Sequence, residues 1–215
     1  MFRRGRRIRT CMRNFAFYRS NTMTVNSSAS TAITEDAEAI AATRRWIERV
    51  VIGLNLCPFA RAPFVHDRVR LSVSAARDAD GLLDDLRKEL CELRDADSEV
   101  RETTLLIHPH VLQDFFDYND FLDRADHAIE SLGLESELQI ASFHPAYQFA
   151  DADFDAVENY TNRSPYPMLH LLRESSVARA VAKMADTDDI YRRNIQVLRE
   201  LGIDGLRAII DSDSR

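Results

Sequence analysis

The chain has 215 residues, 45% of them apolar and 29% charged, with a net charge of -7 at pH 7. That is enough chain and enough apolar side chain to bury a core, and no apolar run approaches the roughly 18 residues of a membrane span. The charge is uneven: residues 1–34 hold seven Arg and no acid, while the remainder carries 21 basic and 35 acidic residues, a balance that repels nucleic-acid phosphates.

Residues 1–33 show no periodicity and read as a disordered basic leader. Three origins fit its composition: an organelle transit peptide, an upstream reading frame with the true start at Met23, or a basic functional arm. The three cysteines, Cys11, Cys57 and Cys91, have no paired spacing. They imply a reducing, cytoplasmic setting rather than a disulfide framework. The folded part is expected over 34–211 as a single globular domain.

Thr34 is positioned to cap a helix with Glu35 and Asp36 in its first turn. Ile40, Ile47, Val50 and Leu54 fall on one face, and Gly53 is the expected stop. Asn55 to Val65 is turn-rich. Val69, Leu71, Val73 and Ala75 alternate with polar residues, the period of a strand. A helix opened by Asp78 or Asp80 then carries Leu82, Leu83, Leu86, Leu90 and Leu93.

Thr103 to Ile107 reads as a buried strand. Val111 to Leu132 reads as an amphipathic helix stopped by Gly133, and Leu138 to Phe143 as a third strand. The segment His144 to Ser164 is long and irregular, which is uncommon without a function. Ser164-Pro165 is expected to open a helix over Tyr166 to Glu174. Two more helices follow, Val177 to Ala185 and Asp188 to Leu201, with Gly202 as a stop. A last strand or a packed tail is expected over 203–210. The order predicts an α/β (or α+β) fold: a small, mostly parallel sheet of three to four strands, packed by amphipathic helices, with a helical C-terminal part. A fourth strand is expected from 203–210 or 64–68.

In parallel sheets ligands bind beyond the carboxyl ends of the strands. Here those ends carry His108, His110 and His144. Three readings stay open: a divalent-metal set of all three, a single acid–base histidine, or strand-end histidines bonded to backbone carbonyls. Cys57 is a candidate nucleophile, against which the adjoining helix C-terminus counts, because its dipole raises a thiol pKa. Asn162, Arg163, Ser164 and His170, with Tyr147, form a candidate ligand site. Arg163 would grip a small anionic molecule at the helix N-terminus.

The segments Gly53-Leu-Asn-Leu-Cys-Pro-Phe-Ala60, Phe143-His-Pro-Ala-Tyr-Gln-Phe149 and Asn162-Arg-Ser-Pro-Tyr-Pro167, with His170 to Glu174, resemble the uncharacterised family known as domain of unknown function 1415. The resemblance covers about residues 40–202. It implies one domain beginning near Ala37 and no particular activity, cofactor or partner. The convergence of polar groups at the strand ends beside one long loop makes the expected function a small-molecule enzyme with Cys57, His144 and His108 as catalytic candidates. The alternatives are a non-catalytic small-anion binding module and a partner-binding protein whose aromatic loop, Tyr147 to Tyr160, is the interface.

Overall fold

The computed structural model describes residues 27–182 and 188–210. The leader expected over 1–33 lies outside the described residues as far as residue 26. From Ser27 the chain is helical: α1 spans Ser27–Trp46 and begins well before Thr34. Apolar periodicity missed this extension because it appears only where the helix meets the core, at Ala39, Trp46, Ile47 and Val50. The helix widens into a π-helical turn over Ile47–Ile52. Gly53 keeps a right-handed helical conformation there, and a Cβ on it would stand 2.1 Å from the Arg49 carbonyl oxygen. The reversal falls instead on Asn55, at φ 53°, a residue type that tolerates the left-handed region.

A short helix, α2 (Arg61–Val65), occupies the stretch read as turns. Then come β1 (Val69–Val73), α3 (Ala79–Asp95), β2 (Thr103–Ile107), α4 (Phe115–Leu132) and β3 (Leu138–Phe143). Asp78 caps α3 by accepting from the Gly81 N–H, and Asp114 caps α4 by accepting from Phe116 and Asp117. Gly133 ends α4 in the left-handed region, at φ 68°, as its placement predicts.

The expected helix over Tyr166 to Glu174 is a strand, β4 (Met168–Arg173), and it supplies the fourth strand. It slots between β2 and β3 in the order β1-β2-β4-β3, antiparallel to both neighbours. The sheet is therefore mixed, yet β1, β2 and β3 still run the same way. The reason is burial: Met168, Leu169 and Leu171 are fully enclosed, and a central strand needs apolar residues on both faces. A short apolar run cannot be told from a buried helix by periodicity alone. After β4, α5 spans Glu174–Val181, and α6 spans Asp188–Ile210 with a break at Gly202 (φ 66°). Gly202 does interrupt the helix, but 203–210 continues as helix rather than strand or tail.

Three layers result. Leu106, Leu138, Leu169 and Leu171 pack against Leu82, Leu86, Leu90 and Leu93 of α3 and Tyr118, Phe121 and Ala125 of α4. On the opposite face, Leu105, Ile107 and Met168 pack against Ala39, Trp46, Ile47 and Val50 and against Leu198 and Leu206 of α6. The α3 side also buries charge. Glu89, 4% exposed, accepts from Arg70 and Ser72 of β1 and pairs with Arg101. Burial alone would raise its pKa. The hydrogen bonds from Ser72 and Arg70 and the charges of Arg70 and Arg101 outweigh burial and hold the carboxyl below its ordinary value. Its stabilising share is thus present above pH 4.5 and is lost as the pH falls below it. Glu89→Gln, which leaves Arg101 short of its countercharge, is expected to cost about 2 kcal/mol in urea unfolding at pH 7. The cost should shrink as the pH drops below 4.

Candidate functional site

The parallel direction of β1, β2 and β3 brings their carboxyl ends to one rim. Ser74 follows β1, His108 follows β2 and His144 follows β3. Ser74 N–H donates to the Ile107 carbonyl (2.8 Å), and His108 N–H donates to the Pro167 carbonyl just ahead of β4 (3.0 Å). Alternation along the strands turns all three side chains toward the α3/α4 layer. Ser74 is buried, and its hydroxyl donates to Asp85 of α3 at 2.6 Å.

Both rim histidines are buried and spend ring nitrogens on backbone carbonyls. His108 Nδ1 donates to the Val111 carbonyl at 3.0 Å. His144 Nε2 donates to the Leu112 carbonyl at 3.2 Å, and its Nδ1 accepts the Ala146 N–H at 3.0 Å. Since a carbonyl only accepts, each tautomer is set by its partner. Leu112 turns its carbonyl toward His144 from a left-handed conformation, φ 54°, at a cost of order 1 kcal/mol for a non-glycine residue. Burial pushes His108 down to about 4, assisted by the nearby charge of His144. Burial likewise lowers His144, against the hydrogen bond to Leu112 and the charge of Asp114. Both imidazoles are neutral at pH 7. The arrangement matches the reading of strand-end histidines bonded to backbone carbonyls.

Tyr118 of α4 lies between the two rings, 5.8 Å from His108 and 5.1 Å from His144, centroid to centroid. Its hydroxyl donates to the Met168 carbonyl (2.9 Å) and accepts the Phe143 N–H (3.0 Å). It thereby joins the ends of β3 and β4. Further aromatics continue outward: Phe115 lies 5.3 Å from Tyr147, Tyr147 lies 5.1 Å from Phe149, and Phe149 lies 6.4 Å from Tyr191.

The irregular segment between His144 and Pro167 is held by its own polar side chains. Asn159, fully buried, accepts the Phe149 N–H and donates to the Asp153 and Phe154 carbonyls. Asn162 donates to the Ser142 carbonyl, and Ser164 to that of Tyr166. Arg163 donates to the Tyr147 and Phe154 carbonyls, with its guanidinium 5.0 Å from the Phe154 ring and 4.8 Å from the Tyr160 ring. The side chains expected to grip an anion thus staple the loop. No helix begins at Ser164, so the expected helix-terminus site is not formed.

The remaining candidates lie apart from this arrangement. His110 turns to Glu35 of α1, at 3.8 Å. Among the described residues no three His, Cys, Asp or Glu side chains stand close enough to share a metal ion, so His108, His110 and His144 are not assembled as a ligand set. His170 sits mid-strand on the opposite face. Its Nε2 donates to Thr103 Oγ1 at 2.7 Å, because that hydroxyl gives its own hydrogen to the Leu171 carbonyl. Burial lowers His170 to about 4.

Cys57 follows the π-helical turn, and burial pushes its thiol pKa up, outweighing the N–H groups of Phe59 and Ala60. In a Cys11→Ser background its reaction with a thiol reagent at pH 7.5 is therefore expected to be slower than in the urea-unfolded chain. The folded rate should rise only as the pH passes 9. A fast folded-state reaction that is flat with pH would contradict this.

Ser74, Asp85, Tyr118 and Asn159 carry much of the rim's polar order and were not singled out from sequence. Ser74 stands among the polar residues that alternate along the first strand, and neither spacing nor composition marks Tyr118. Only the density of Asn near Arg163 hinted at Asn159.

A family model described as "Protein of unknown function (DUF1415)" matches residues 38–208. No curated protein and no solved structure matches the chain.

Proposed function

We propose, for a chain that belongs to the DUF1415 family, that it is a partner-binding protein whose interface is the loop from Tyr147 to Tyr160 together with the start of α4. One observation carries this reading. The loop turns its polar groups inward onto its own carbonyls while presenting Phe154, 62% exposed; at the start of α4, Phe116 is 76% exposed and the adjacent Phe115 ring contacts Tyr147 of the loop. Large exposed aromatics gathered on one surface mark interaction sites. A loop already stapled by Asn159 and Arg163 has less ordering entropy to lose on binding.

The enzyme reading has less support. Both nitrogens of His144 are engaged, Cys57 is a weakened nucleophile, and Arg163 faces its own loop. A small-molecule site at the rim retains one supporting observation: His108 Nε2 is buried and takes no hydrogen bond from a described residue, one strand away from the Ser74–Asp85 pair.

The test is affinity capture from the native cell extract with the wild type and with a Phe116→Ser/Phe154→Ser double variant of matched thermal stability. A protein retained by the first and lost by the second supports the interface. Equal retention sinks it. A thermal-shift screen of metabolites and metals, repeated on His144→Ala and Arg163→Ala, addresses the rim. A hit lost in His144→Ala would move the function to a small molecule.

A further inference from the structure

We infer that two copies of this chain pair through the free edge of β3, antiparallel about a two-fold axis at Ile140, so that their sheets join into one. This goes beyond the aromatic interface proposed above and does not depend on it.

The ladder fixes which backbone groups face outward. The sheet order makes β3 an edge strand. The His108 N–H donates to the Pro167 carbonyl. Pro167, Leu169 and Leu171 therefore turn their backbone groups to β2, while Met168, His170 and Leu172 turn theirs to β3. The register partners of the latter, Phe143, Ala141 and Gln139, point inward. Leu138, Ile140 and Ser142 then point away from the sheet.

Both ends of this edge are closed within the chain. The Leu138 N–H donates to the Leu134 carbonyl at 2.9 Å. Asn162 Nδ2 donates to the Ser142 carbonyl at 3.1 Å, and the Asn162 carbonyl accepts the His144 N–H at 3.2 Å. Between them lie the Leu138 carbonyl, the N–H and carbonyl of Ile140 and the Ser142 N–H. None of these bonds to a described residue. The strand also lacks the devices that keep edges apart. Leu138–Phe143 holds no charge, proline or glycine, whereas β1 at the opposite edge carries Arg70.

These groups identify the occupant, because they complement themselves. With Ile140 opposite Ile140 of a second copy, the two residues exchange both bonds. Each Ser142 N–H then meets the Leu138 carbonyl of the other copy, and every free group pairs. The groups left over in this register are the Leu138 N–H and the Ser142 carbonyl, which Leu134 and Asn162 already satisfy. Sliding one copy by two residues would set each Ile140 carbonyl against a Leu138 N–H that is already spent. The caps thus select one register as well as one partner.

The test uses the full chain, with mass by light scattering across concentration and amide exchange residue by residue. The mass is expected to rise toward twice that of one chain. Exchange at Ile140 and Ser142 should slow at least about tenfold in the dimer, and far less at Gln139 and Ala141, which already face β4. Ser142→Pro deletes an outward donor and no ladder bond, and should weaken association at least about tenfold. The register also sets Gln139 opposite Ala141 of the other copy. Gln139→Lys/Ala141→Lys should therefore be monomeric, as should Gln139→Glu/Ala141→Glu, and mixing the two should restore a dimer. Should Ser142→Pro fail to fold, this mixture decides.

A single-chain mass up to about 1 mM overturns the proposal. So does a dimer that persists in both charge variants, which would place the contact elsewhere. Protection of Ile140 and Ser142 that appears only on adding cell extract gives the edge to a foreign strand and overturns the second copy as occupant. The Phe116→Ser/Phe154→Ser variant should dimerise like the wild type, so failure of one interface is distinguishable from failure of the other.

Discussion

Lowering the pH from 7.5 to 5 is expected to destabilise the fold by several kcal/mol, before most carboxylates begin to titrate. His108 and His170 are both held near 4 by burial, whereas an imidazole in the unfolded chain titrates near 6.5. Between those values the unfolded chain binds more protons, so stability is full above about 6.5 and falls as the pH drops toward 4. At about 1.4 kcal/mol for each step of one in pKa, each histidine accounts for about 2 kcal/mol by pH 5. His144, also lowered, adds in the same direction. The measurement is the urea midpoint across this range. His170→Gln, whose amide can still donate to Thr103, should remove about half of the slope contributed by the two. A midpoint flat from 7.5 to 5 would show that these rings are not held neutral.

Tyr118→Phe is expected to cost about 3 kcal/mol although it removes a single atom. The hydroxyl satisfies both the Phe143 N–H and the Met168 carbonyl, and those two residues are direct register partners at the end of the β3–β4 pair. Tyr118 is fully buried, and leaving buried backbone groups unpaired costs about 1–3 kcal/mol each. The lost bonds should also loosen the rim. Amide exchange at Phe143 should quicken more than at Leu171 in the strand centre. A cost below about 1 kcal/mol would mean that the backbone finds substitute partners. The phenol has no titration to contribute, because burial pushes its pKa above the usual tyrosine value.

The two results bear on function together. A neutral, carbonyl-bonded His144 and a Tyr118 that ties strand ends describe a rim built to be rigid. That rigidity suits the presentation of Phe154 and Phe116 better than it suits proton transfer. Arg163 illustrates how a side chain's role depends on what lies within its reach. Read as a fork waiting for an anion, it finds the Tyr147 and Phe154 carbonyls and two aromatic faces in its own loop.

Local chemistry made the strands at Val69, Thr103 and Leu138, the helices α3 and α4 and the turn at Gly133 legible from the sequence alone. Period-two alternation, apolar spacing and a glycine after the last helical turn are properties of neighbouring residues, and they need no partner from far along the chain. The convergence of His108 and His144 on one rim was legible for the same reason, given the direction rule for strand–helix–strand units. The tertiary structure alone decided the rest. Met168 to Arg173 became a strand because the gap between β2 and β3 buries both of its faces. The Nε2 of His144 found Leu112, the Nε of Arg163 found Tyr147 and the hydroxyl of Tyr118 found Met168, partners 32, 16 and 50 positions away. Partners that distant are set by packing, and no spacing rule in the sequence encodes them.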